Sequence, residues 1–254
     1  MRSSNLKSPI WRKTVSLLAL GVSCTLFSAS GAESNAAPVL KENSIEIAGK
    51  TITMNPNGSM VCNNQKGERL FHAEMPYCWV VKKGEAIWPW RNKQLDKEKT
   101  KLVRDGSKYS WELWFKDENL PSFCGIRQSL EVLPSGELKY HYEYTFPKQT
   151  GDYVFKTWIP FIYMKEPVWK GEKVTVENGS VELGKDMKKT DGYITKKDQI
   201  LKWVFAADKP EKRFSIAVDG KLSRQLNVQF RNGLIQLSAP PRKSKDGEFF
   251  LDLR

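Results

Sequence analysis

The stretch "ELKYHYEYTF", Glu137 to Phe146, decides the fold class. Leu138, Tyr140, Tyr142, Tyr144 and Phe146 share one parity, and Lys139, His141, Glu143 and Thr145 share the other. Five apolar residues at period two do not line a helix face, whose period is 3.6. The stretch reads as a strand that buries one side and turns the other to solvent or to a groove.

The same pattern recurs in both directions. "SIEIAGKTITM" (44–54) is two alternating runs about Ala48-Gly49-Lys50, a hairpin signal. "NPNG" (55–58) follows as a turn, "SMVC" (59–62) as a strand, "NNQKG" (63–67) as a turn and "ERLFHAEM" (68–75) as a strand. Asn178-Gly179, Asp219-Gly220 and Asn232-Gly233 are each predicted to close a hairpin, because such pairs accept the positive φ that strand twist demands. The chain closes on the alternating "EFFLDLR" (248–254), and only "RNKQLDKEKTKL" (91–102) suggests a short helix. Together these signals predict an all-β, multistranded antiparallel β-sandwich, with residues 44–254 as a single domain.

The first 32 residues read as a signal peptide. Arg2, Lys7, Arg12 and Lys13 precede the apolar "TVSLLALGVSCTLF", which is shorter than the ~20 residues of a membrane helix. "SASGA" supplies small residues for cleavage after Ala32, and residues 33–43 read as a flexible leader. The expected location is therefore periplasmic or extracellular. Lipidation at Cys24 is the lesser alternative, because Gly21 stands where such sites usually carry leucine. Beyond the leader no segment reads as a membrane span.

The full chain carries 41 basic and 29 acidic residues, net +12, and removing the four basic residues of the signal peptide leaves +8. That surplus, without a nucleic-acid motif in an exported chain, argues against nucleic acid. It suits an acidic polysaccharide, an anionic membrane surface or simply a solvated lysine-rich surface. Cys62, Cys78 and Cys124 remain after cleavage. They leave an odd thiol whatever bridge forms, and their spacing does not suit zinc. Neither a metal nor a cofactor is expected.

Histidine is scarce, with His72 and His141 alone in the chain. His141 and Glu143 point the same way from one strand and could serve as general base and orienting carboxylate. Glu143 equally suits a lysine on a neighbouring strand. Nucleophile elbows, phosphate loops and calcium loops are absent from the sequence. The sequons at Asn57 and Asn178 read as turn chemistry.

Aromatic residues carry the remaining signal. Trp79, Trp158 and Trp203 lie in apolar runs and read as core, while Trp111 and Trp114, three apart, must face opposite ways in a strand. In "GEAIWPWRN" (84–92), Pro89 disfavours helix, so Trp88 and Trp90 share one side with Arg91 and Asn92 close by. Flat apolar rings with one N–H donor suit sugar faces. Trp88, Trp90, Arg91 and the lysine-flanked Trp169 are the expected binding residues; packing as a wedge between sheets is the competing reading.

"IAGKTITMNPNGSMVCNNQKGERLF" (47–71), "RQSLEVLPSGELKYHYEYTFPK" (127–148) and "TWIPFIY" (157–163) together resemble the β-sandwich modules of bacterial carbohydrate-active enzymes, including galactose-mutarotase-like supersandwiches. The resemblance spans roughly Ser44 to Tyr163. It implies a sandwich fold and a sugar-related setting. Epimerases of that fold use histidines with a glutamate, for which His141 and Glu143 are the candidates here. The expectation is an exported, non-catalytic carbohydrate-binding protein. Its alternatives are a polysaccharide lyase, glycosidase or epimerase, and a structural envelope protein that binds another protein.

Overall fold

The computed structural model describes residues 36–75, 77–82, 85–87, 95–117, 120–145, 153–158, 162–176, 179–183, 201–219, 227–231, 234–238 and 246–254. The proposed signal peptide with Cys24, and Trp88, Trp90 and Arg91, lie outside the described residues.

Along the chain the strands are β1 (Val39–Leu40), β2 (Ser44–Ile47), β3 (Lys50–Met54), β4 (Met60–Asn64), β5 (Arg69–Ala73), β6 (Tyr77–Lys82), β7 (Glu85–Ile87), β8 (Lys101–Asp105), β9 (Lys108–Asp117) and β10 (Leu120–Val132). Then come β11 (Leu138–Tyr144), β12 (Tyr153–Trp158), β13 (Ile162–Lys165), the single-turn helix α1 (Glu166–Trp169), β14 (Lys173–Val176) and β15 (Gly179–Glu182). The last are β16 (Lys202–Phe205), β17 (Phe214–Val218), β18 (Asn227–Arg231), β19 (Leu234–Ser238) and β20 (Asp246–Asp252).

They pair antiparallel into two large sheets and a small one. One sheet runs β1-β2-β3-β4-β5-β13-β19-β18, the other β15-β14-β16-β17-β20-β11-β10-β9-β8, and the third β12-β6-β7. The fold is an all-β sandwich. β11 fulfils the opening reading, with Leu138, Tyr140, Tyr142 and Tyr144 buried and His141 half-buried on the opposite face.

Buried aromatics with polar tips need partners, and here the partners tie one sheet to the other. The Tyr140 hydroxyl donates to Gln128 Oε1 at 2.9 Å, and Gln128 Nε2 donates to the Gly58 carbonyl at 2.7 Å. Trp111 Nε1 donates to the Asn55 carbonyl at 2.8 Å, and the Tyr109 hydroxyl donates to the carbonyls of Lys41 and Ser44. Between the sheets Phe71 of β5 meets Phe214 of β17 with centroids 5.2 Å apart. Lys50 lies on the inner face of β3, where alternation puts it between Ile52 and the turn. Its ammonium donates to the carbonyls of Leu253 at 2.6 Å and Pro210 at 2.7 Å. Beside it, burial pushes the Cys62 thiol up to about 12, with the Lys50 charge opposing.

Several local expectations need correction. Leu40 pairs Ile45, so part of the stretch read as a flexible leader is strand. Gly179, expected in a turn, pairs Val176 and belongs to β15, while Asn178 lies outside the described residues. Asp219-Gly220 does not close a hairpin: β17 is flanked by β16 and β20, so both its edges are taken. β18 and β19 pair with Arg231 opposite Leu234, and Asn232 and Gly233 between them lie outside the described residues. The 95–100 part of the expected helix is a turn, in which the Thr100 amide donates to the Asp96 carbonyl. No helix among the described residues is long and apolar enough to cross a membrane.

Candidate functional site

Trp169 is not a surface platform. α1 swings its ring inward until none of it is exposed, and Nε1 donates to the Leu70 carbonyl at 2.9 Å. Its edge meets Phe205 and Phe214 at 5.8 and 5.5 Å. Lysine neighbours at 165 and 170 misled the reading: both are exposed, one ending β13 and one following α1, while the indole of α1 fills the core.

His141 and Glu143 are also separated in role. His141 pairs with Glu248 of β20 and Ser129 of β10, and its Nδ1 lies 3.7 Å from Glu248 Oε2. Lys139 holds that same oxygen at 2.8 Å. Glu143 stands instead between Arg127 and Asp246 in register, while Arg127 Nε binds Glu112 Oε1 at 3.1 Å. The imidazole therefore has a carboxylate, but one supplied by a strand more than a hundred residues on. Sequence distance hid it.

Another tryptophan does reach the surface. β9 buries Trp111 and leaves Trp114 half-exposed on the outer face, as their spacing requires. The turn after Leu95 docks on Trp114: the Asp96 amide donates to its carbonyl at 2.8 Å, and its own amide donates to Thr100 Oγ1 at 3.1 Å. Asp96 fixes the turn from beneath. The Ser122 hydroxyl donates to its carboxylate at 2.9 Å and, against the cost of burial and with Lys116 nearby, holds it below the ordinary carboxylate range. From this turn Lys99 extends over the Trp114 ring, its ammonium 5.2 Å from the centroid, within cation–π range.

Across from the turn lies the β3–β4 loop. Asn57 Oδ1 accepts from the Ser59 amide at 3.1 Å and from its hydroxyl at 2.8 Å, and Asn55 Nδ2 donates to the same hydroxyl at 2.9 Å. Trp111 and Gln128 pin the loop from below. Between loop and turn is a cleft of about 460 Å³, lined by Asn55, Pro56, Asn57, Leu95, Lys97 and Thr100. That volume is in the range of small-ligand sites. Amides, a hydroxyl and an ammonium surround two apolar side chains, an arrangement that can hydrogen-bond hydroxyl groups and cover an apolar ring face. Sequence reasoning missed this cleft, because its walls come from positions 55–57 and 95–100 and meet only through the two sheets.

Among the described residues Cys62 and Cys124 are free thiols, and no cluster of three or more His, Cys, Asp or Glu has a metal-binding arrangement.

No family model matches the chain, and no curated protein matches it. Among solved structures it is similar to the alpha-N-acetylgalactosaminidase NagBb from Bifidobacterium bifidum, determined as a GalNAc complex. The TM-score is 0.52 at 5% sequence identity, over 82% of this chain and 35% of that one. This chain thus spans about a third of that protein's length, and the likeness is one of β fold.

Proposed function

We propose that this chain is an exported, non-catalytic β-sandwich protein that binds carbohydrate at the cleft between the 55–57 loop and the 95–100 turn. The carrying observation is the lining of that cleft: Asn55, Asn57, Thr100 and Lys97 around Leu95 and Pro56, with the half-exposed Trp114 behind the same turn. Sugars present hydroxyl groups around an apolar ring face, and amide, hydroxyl and aromatic groups answer both. The fold likeness to a glycosidase solved with a bound sugar supports a carbohydrate setting. His141 lies on an open sheet face with Lys139 sharing its carboxylate partner, which favours binding over acid–base catalysis. Native gels of residues 33–254 cast with a panel of neutral and acidic polysaccharides test the proposal. Selective retardation, lost in Trp114→Ala and Asn57→Ala, is expected. Uniform mobility across the panel overturns it.

A further inference from the structure

Resting on that reading, we infer that the sugar bound in the cleft carries a carboxylate, so the ligand class is uronic-acid glycans. Among the six lining residues the one formal charge is the ammonium of Lys97. Lys97 is exposed and makes no hydrogen bond or ion pair among the described residues. Of the neighbouring acids two are engaged, while the exposed Glu98 stands between Lys97 and Lys99 and leaves the 97–99 segment at +1. Asp96 is buried and bound by Ser122, and Glu112 is bound by Arg127. Two residues beyond Lys97, Lys99 places its ammonium over the Trp114 face, and Lys101 continues the exposed basic series into β8. One cation therefore stands over Trp114, where a ligand group meets it beside the ring, and a second stands in the cleft on the other side of the same turn. Neutral sugars have no group that uses either ammonium as a charge, whereas a uronan, with one carboxylate per uronic acid, offers a charge-assisted hydrogen bond to each from successive residues. Exposed ammonium groups discriminate modestly and in a salt-sensitive way.

The test compares polymers that differ only in the carboxylate. Polygalacturonate, alginate and hyaluronan, each beside its carboxyl-reduced counterpart, are titrated calorimetrically into residues 33–254 at low salt. At least one uronan is expected to bind about five- to tenfold more tightly than its reduced partner. Lys97→Gln with Lys99→Gln should remove that ratio, while the remote exposed Lys165→Gln should preserve it, with thermal midpoints confirming that all variants fold. Equal binding of a uronan and its reduced partner overturns the carboxylate inference and leaves the carbohydrate reading standing. A ratio that survives in the double variant overturns the assignment to this cleft. Binding to phosphatidylglycerol vesicles without any glycan binding overturns both readings, as does an absence of binding to every probe.

Discussion

The ammonium of Lys50 donates to the carbonyl of Leu253 at 2.6 Å, joining residues 203 positions apart in the chain. The same ammonium holds the Pro210 carbonyl at 2.7 Å. One side chain of β3 thereby fastens the C-terminus and the 206–213 loop to the opposite sheet. Lys50→Met keeps the aliphatic stem but removes the donors of these buried bonds. We expect a loss of about 2 kcal/mol, because abandoned buried acceptors each cost about 1–3 kcal/mol. The exposed Lys41, paired with Glu46, is the control, and Lys41→Met should stay within about 0.5 kcal/mol. Urea midpoints at constant slope make the comparison; equal midpoints would show that the Lys50 clasp contributes nothing.

Trp169 and Trp114 should separate stability from binding. Trp169→Ala empties a fully buried site and should cost about 3–5 kcal/mol. Trp114→Ala, on the outer face, should cost far less and should instead abolish retention by the glycan. A strongly destabilised Trp114→Ala with normal Trp169→Ala would reverse both assignments.

Gly247 is required by Tyr142. A Cβ at residue 247 would stand 2.0 Å from the Tyr142 hydroxyl oxygen and 2.1 Å from Cζ, inside any permitted contact. Gly247→Ala should therefore cost about 3 kcal/mol or more as overpacking. In the double variant with Tyr142→Leu the ring is gone, so the combined loss should fall below the sum of the single losses. Simple additivity would mean that the two positions do not collide.

Acid should loosen the fold through Glu172. Burial alone would raise this carboxyl, but hydrogen bonds from Lys209 at 2.6 Å and Lys212 at 3.0 Å outweigh burial and hold it below its ordinary 4.5. A carboxyl depressed in the folded state lends stability that is present above about pH 4.5 and is lost as pH falls through the folded value. Thermal midpoints should therefore drop below that pH. Glu172→Gln should be less stable at pH 7 and show a shallower acid drop; parallel curves for the two proteins would remove Glu172 from the acid response.

The fold class was readable because burial follows parity wherever strands run undisturbed. Leu138 through Tyr144 and Ile45 with Ile47 lie where alternation puts them. Parity also sent Trp111 inward and Trp114 outward. Pairing order was not readable. Nothing local to "RFSIAVDGKLSR" states that β17 already has β16 and β20 for neighbours. The cleft and the His141–Glu248 contact were hidden for the same reason, since both depend on strands distant in sequence. Trp169 failed differently: a four-residue helix reverses the direction that a loop reading assigns, and its signal, a single turn at Glu166, is too short to register as periodicity.

β10 carries one more lesson. Phe123 pairs Phe115 and Cys124 pairs Trp114, yet Ile126 pairs Leu113, so Gly125 is an extra residue against an uninterrupted β9. Upstream of Gly125 the odd-numbered Phe123 packs on the core; downstream the even-numbered Ile126, Gln128 and Leu130 do. The glycine acts on this strand as a frameshift acts on a message. Each half is spelled in its own phase, and deleting that single residue would merge the two into one frame, with Phe123 and Ile126 still opposite Phe115 and Leu113 but the bulge gone.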